Sequence, residues 1–166
     1  MRRLTMVKYP QLFLTASTLQ AIYADSVHRR QMEACGVLLG QIDEQRNWHA
    51  QQILPLQNSA SSPVYFEFDP EELLTVELTY PGQIIGVYHS HPTGYPRASI
   101  TDKQNMYRVN CEQQIPWVWL IVCGPFQAET INPLPPYTTP STGILLAYHH
   151  YAPDAGLQPI TIITTA

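Results

Sequence analysis

The chain has 166 residues, a length that fits one domain and lets about 70% of the unfolded surface be buried without help from a metal or a disulfide. It is 45% hydrophobic and only 13% charged, against about 25% charged in an average soluble domain, which excludes the disordered class. Nine basic residues scattered among thirteen acidic ones, for a net charge of -4, give none of the basic stripe that nucleic acid requires.

No apolar run approaches the roughly 18 residues of a membrane span, and Met1 to Pro10 lacks the apolar core of a signal peptide, so a cytoplasmic protein is expected. From Thr15, the residues Leu19, Ile22, Tyr23 and Val27 recur at helical spacing, which predicts a first helix ending near Gln31. Cys35 to Leu39 and Trp48 to Leu56 read as the two strands of a hairpin across the polar turn Asp43 to Asn47. Asp69-Pro70-Glu71-Glu72 is a helix start, with an Asp cap, Pro at the first position and Glu at the third for a capping box; that helix runs to Thr79 or Tyr80.

Pro81-Gly82 breaks the chain, and Gln83 to His91 is dense in strand formers and ends in a loop bearing Pro92, Gly94 and Pro96. Ser99 to Asn110 reads as a helix, and Trp117 to Val122 as a buried strand. Further strands are expected at Phe126 to Ile131, Ile144 to His149 and Ile160 to Thr164. Between the first two, Asn132 to Pro140 holds four of the fifteen prolines and reads as an irregular surface connection. No repeat and no domain boundary interrupts residues 1–166, whose motif-bearing core runs from about 12 to 123 with additional strands over 126–164.

Side chains on a strand alternate faces, so His89 and His91 project together while Ser90 points away, and the pair can share one metal. Asp102 follows a ten-residue gap; if that gap turns back from the strand into a helix, its carboxylate completes three protein ligands, the number that leaves a catalytic zinc an open position. Each piece has a plainer counterpart, because H-x-H pairs are often surface or core histidines and Ser99-x-x-Asp102 is also a capping box. The joint pattern carries the weight: H-S-H-P at His89 to Pro92, then S-x-x-D, with an E-x-x-G-x-x-x-G upstream from Glu33 through Gly36 to Gly40.

With those residues the chain resembles the JAMM metalloproteases, also called the JAB1/MPN/Mov34 or MPN-plus family, and looks like a compact prokaryotic-type member. The resemblance implies an α+β fold, a curved mixed β-sheet flanked by helices in a JAB/MPN-like, cytidine-deaminase-like architecture. It implies one zinc per chain on His89, His91 and Asp102, Glu33 as general acid/base, and Ser99 as the group that steadies the oxyanion. It also implies the substrate: the C-terminal tail of a ubiquitin-like or sulfur-carrier protein, cut at a peptide or isopeptide bond. Ala98 stands where many relatives carry Pro, Cys123 stands where Ser is common, and the stretch from Asp102 to Trp117 has no room for the extra zinc-binding insertion of some eukaryotic deubiquitinases.

A non-catalytic MPN scaffold that binds partners through the fold alone is the alternative, and a two-His-one-carboxylate iron oxygenase a third reading. Cys35, Cys111 and Cys123 form no C-x-x-C pair and read as buried free thiols, with Cys35 singled out for its nearness to Glu33. Asn58 to Phe68, polar and then aromatic, is a candidate for one wall of a substrate groove and reads equally as a plain loop leading into an edge strand. His28, His49, His149 and His150 lack ligand-like context and read as surface or structural. Nothing in the sequence sets the oligomeric state.

Overall fold

Local signals fix the start of the domain in the computed structural model, which describes residues 9–126, 144–151 and 155–166. A short strand, β1 (Leu12–Thr15), runs directly into helix α1 (Ala16–His28). Thr15 makes the change of geometry: its backbone is extended and its hydroxyl accepts from the Thr18 amide, an N-cap. Leu19, Ile22, Tyr23 and Val27 form the buried face, as their spacing requires. The helix stops at His28 rather than Gln31, because Arg29 leaves the helical backbone and turns its guanidinium to Asp25 and to the carbonyls of Cys35 and Leu56.

Strands β2 (Cys35–Ile42) and β3 (Trp48–Leu56) form the expected antiparallel hairpin. Helix α2 (Pro70–Thr79) starts at the Asp69 cap, whose side chain accepts from the Glu71 amide. Glu72, expected to close a capping box, instead accepts from the Gln57 amide at 3.2 Å and ties the helix to the end of β3. Strand β4 (Ile84–His91) lies antiparallel to β2, and β5 (Val118–Cys123) lies parallel to β4. Between them, α3 (Ile100–Tyr107) passes into a π-helical turn at Arg108–Glu112, so the helical stretch outlasts the expected Asn110 but changes type.

Strands β6 (Ile144–His150), β7 (Leu157–Pro159) and β8 (Ile162–Thr165) complete the sheet, in the order β7-β6-β5-β4-β2-β3-β1-β8. Strand β7 was not expected from the sequence, nor was β1, and the last strand begins two residues later than the expected Ile160. Of the strand expected over Phe126 to Ile131, Phe126 is a buried residue outside any strand and the remainder lies outside the described residues, as does Asn132 to Pro140. Only Ile160 and Thr161 separate β7 from β8, yet these strands sit at opposite ends of the sheet order. The sheet therefore curls until one C-terminal stretch joins both edges: the Ile160 amide donates to Ala147 and the Leu12 amide to Thr161.

Side chains of alternate strand positions feed two apolar layers. Leu38, Tyr88, Leu120 and Val122 pack with α1 on one face. Val37, Val87, Trp119 and Ile121 pack on the other face with Val76 of α2 and Met106 of α3. A register shift opposite Leu38 and Leu39 leaves Ile85 without a β2 partner and sets the phase in which β4 carries Val87, His89 and His91 toward α2 and α3. This is the α+β architecture expected, a curled mixed sheet between helices. No helix among the described residues is long and apolar enough to cross a membrane.

Gly36 lies where the chain tolerates no side chain. A Cβ there would meet the Leu54 carbonyl oxygen and come within 2.7 Å of the Tyr88 hydroxyl, so β2 and its neighbours close up only because position 36 is bare. Gly36→Ala is expected to lower stability by about 1–3 kcal/mol or more, read from the urea midpoint; an unchanged midpoint would show that these strands can part without cost.

Candidate active site

The end of β4 delivers His89 and His91 to one face, and the intervening Ser90 shows what the alternation does for the other carboxylate. Ser90 Oγ accepts from the Ala34 amide at 2.8 Å, and the Ser90 amide donates to the Ala34 carbonyl at 2.9 Å. This two-way pairing fastens the segment just before β2 to the end of β4 and sets Glu33 beside the histidines. From the third direction comes α3. Ser99 is its N-cap and Asp102 its third residue, and both bonds of a capping box are present: Asp102 amide to Ser99 Oγ at 3.0 Å, Ser99 amide to Asp102 Oδ2 at 2.9 Å. The plain reading of S-x-x-D as a cap is what the structure shows, and the cap holds the Asp102 carboxylate toward β4.

The distances are short. His89 Nε2 and His91 Nε2 are 3.2 Å apart, Asp102 Oδ1 is 3.2 Å from the first, and Oδ2 is 3.0 Å from the second. Glu33 Oε1 stands further back, 4.0 Å from His89 Nε2 and 3.7 Å from His91 Nε2. All four side chains are buried, none more than 6% exposed. Glu33, His89 and His91 bring ligand-capable atoms within 4.8 Å of one another, a grouping able to hold a metal ion.

The donor set tests well against a bound cation. Four-coordinate zinc with bonds of about 2.0–2.1 Å puts its ligand atoms about 3.3 Å apart, close to the 3.2 Å between the histidine nitrogens and to the 3.0–3.2 Å from each of them to a different Asp102 oxygen. The His91 Nδ1–H donates to the Tyr95 carbonyl at 2.9 Å, which turns Nε2 to the cluster, where it would offer its lone pair to a bound cation. Among the described residues, Glu33 Oε2, fully enclosed, has no hydrogen-bond partner, and neither has His89 Nδ1.

Charge in this pocket is strongly perturbed. Burial pushes the Glu33 carboxyl up to about 8, with His91 pulling it down and Asp102 pushing it further up. Burial likewise drives the His89 imidazole below its ordinary range. At His91 burial acts downward too, but hydrogen bonds to Asp102 and Cys123 and the Tyr95 carbonyl outweigh it and raise the pKa to about 10. Burial alone would raise Asp102; its hydrogen bonds to the two histidines hold it well below the carboxylate range instead. A cation among these groups would take over the part that a shared proton plays between His91 and Asp102.

All five residues singled out in the sequence, Glu33, His89, His91, Ser99 and Asp102, thus meet at one place. Part of the expected groove wall does as well: the Phe66 ring stacks on His89 with centroids 4.6 Å apart, while neighbouring Val64 and Tyr65 are exposed. Asn58 was singled out only as the start of that wall, and its side chain proves to be buried among backbone groups, which no local signal announces. Cys35 is buried and its thiol is pushed up to about 12 by burial, so it stays protonated at neutral pH; Cys123 is also buried, whereas Cys111 is half-buried with its thiol directed at the His150 and Tyr151 carbonyls. The other histidines are structural or exposed: His49 pairs with Asp43, His149 Nδ1 donates to the Trp117 carbonyl, His150 Nδ1 to that of Tyr151, and His28 faces solvent.

Comparison with known proteins places this geometry. Residues 15–134 match the family described as prokaryotic homologs of the JAB domain, a stretch that contains all five residues. A desampylase of Pyrococcus furiosus is 34% identical over 116 residues, covering 68% of this chain and 71% of that protein. A desampylase of Haloferax volcanii is 38% identical over 76 residues, 43% of this chain; the match spans about half that relative's length, 52%. The solution structure of a Desulfitobacterium hafniense protein superimposes with a TM-score of 0.69 at 23% identity, covering 93% of each chain, and shows the same fold. The chain belongs to the family of prokaryotic homologs of the JAB domain.

Proposed function

We propose that this chain is a zinc-dependent metallopeptidase or isopeptidase, residues 1–166 forming one cytoplasmic JAB-type domain, and that it hydrolyses the peptide or isopeptide bond at the C-terminal tail of a ubiquitin-like or sulfur-carrier protein. The observation that carries this reading is the convergence of two imidazole nitrogens and one carboxylate within 3.0–3.2 Å of each other, beside a second buried carboxylate that stands back from them. Similarity to two desampylases supports it. His89, His91 and Asp102 are the ligands, because their atoms lie at ligand-to-ligand spacing and Glu33 does not. When bound, zinc supplies a Lewis acid that polarises a carbonyl and acidifies water.

The chain's own residues do the rest. Glu33, enclosed and short of hydrogen-bond partners, takes a proton from the attacking water on a carboxylate oxygen and passes it to the departing nitrogen, which cannot leave as an anion. Ser99 Oγ already accepts from the Asp102 amide, so its own O–H remains to donate to the oxyanion that develops on the substrate carbonyl. The Tyr95 carbonyl keeps His91 in one tautomer. Phe66, packed against His89, covers one side of the cluster, and exposed Val64 and Tyr65 continue that side toward solvent as the wall for an extended tail.

The test is cleavage of a ubiquitin-like protein carrying a C-terminal extension beyond Gly-Gly, followed by mass spectrometry. Activity is expected with zinc, to vanish on chelation and to return when zinc is restored. Cleavage indifferent to the chelator would overturn the metal-dependent reading, and a zinc-loaded protein inert toward every such tail would favour the scaffold.

A further inference from the structure

Resting on the reading of Glu33 as the base, we infer that Asn58 is the positioning residue that sets Glu33 against the metal ligands. The residue is 1% exposed, at the start of the loop that joins β3 to α2, and every polar position on its side chain is used. Nδ2 donates to the Glu33 carbonyl at 3.1 Å and to the Tyr65 carbonyl at 3.0 Å; Oδ1 accepts from the Ala60 amide at 3.0 Å and the Glu67 amide at 3.2 Å. Since both acceptors are carbonyls and both donors amides, only one orientation of the amide satisfies them.

Through this one side chain the loop 58–68 closes on itself and on the site together. The loop is pinched by an Asn58–Phe68 bridge and by the Ser59 amide donating to the Glu67 carbonyl. Glu33 is held from both sides of its backbone by the same loop, its amide donating to the Ser62 carbonyl at 2.8 Å and its carbonyl accepting from Asn58. Phe66, clamped between Tyr65 and Glu67, is the ring stacked on His89. The Ser90 pairing holds Ala34, the residue after Glu33, while the backbone of Glu33 itself is held by loop 58–68, and Asn58 is the pivot of that loop.

Asn58→Asp is the sharpest test because it keeps the shape and the acceptor for Ala60 and Glu67 but faces the Glu33 and Tyr65 carbonyls with an oxygen that cannot donate. The expected result is a folded protein with wild-type zinc content and kcat lower by about 10- to 100-fold, the scale of a misplaced reacting group; KM rises only as far as the freed Tyr65 carbonyl shifts the wall, so kcat is the reading of Glu33. In a Glu33→Gln background, read at high enzyme concentration, the same substitution should cost nothing more, because the two residues act as a unit. A kcat within threefold of wild type, or an equal loss in both backgrounds, overturns the inference; a merely structural Asn58 gives the equal loss. Should Asn58→Asp not fold, Asn58→Ser is read by the same cycle, and failure of both to fold assigns Asn58 to the fold alone and overturns it. If Glu33→Gln is as active as wild type, the base assignment falls; if Glu33→Gln is inactive and Asn58→Asp is not impaired, only the positioning role falls.

Discussion

Glu33→Gln is expected to keep a full complement of zinc and to lose tail cleavage by about 100- to 10,000-fold, the range that a positioned general base contributes. The substitution isolates the proton chemistry, because glutamine fills the same buried volume and keeps one carbonyl oxygen but accepts no proton at neutral pH. The distances argue that zinc stays: Glu33 Oε1 is 3.7–4.0 Å from the two histidine nitrogens, whereas the Asp102 oxygens are at 3.0–3.2 Å. Burial holds the Glu33 carboxyl near 8, and a cation beside it would draw that value down into the range where it accepts a proton from water and returns it within one turnover. Elemental analysis paired with cleavage rates decides the matter. Activity within tenfold of wild type removes Glu33 from the mechanism, and zinc lost together with activity makes Glu33 a ligand, the other grouping the geometry permits.

The same site shows what a sequence can carry. His89-Ser90-His91 was legible from strand periodicity alone, because a two-residue repeat puts both rings on one side whatever the rest of the fold does. Asp102 was legible as a cap, and its second use depended on the loop 92–98 returning α3 to the end of β4, which spacing permits but does not impose. Glu33 has no local signature at all. It reaches the histidines through Ser90 and Asn58, contacts between residues tens of positions apart, and only the family resemblance pointed to it. The long elements α1, β3 and α2 followed from apolar spacing and caps, whereas β1 and β7 did not. Strands of three or four residues hold too few side chains to show a period, and they exist because a neighbouring edge offers hydrogen bonds. The early stop of α1 has a similar origin, in Arg29 turning to carbonyls of β2 and β3.

His89→Ala is expected to abolish zinc binding and with it all measurable cleavage, and to uncouple stability from zinc. His89 is fully buried, its Nε2 within 3.2 Å of both His91 Nε2 and Asp102 Oδ1, and Phe66 is stacked on its ring. Truncation to alanine removes one of the three proposed ligands and opens a cavity beneath Phe66, a loss of about 2–4 kcal/mol by analogy with other buried large-to-small changes. Asp102 keeps His91 and the Ser99 amide, so the variant should still fold. Zinc at about a hundred times its dissociation constant stabilises a single-site protein by about 2.7 kcal/mol, and at this chain length that raises Tm by about 5–10 °C. Wild type should show that rise and His89→Ala none, in scans with zinc and with chelator. An equal rise in both proteins would place the metal elsewhere and sink the assignment of His89, while no rise in either would mean that the convergent ligands do not hold zinc, leaving the domain to act through its surface.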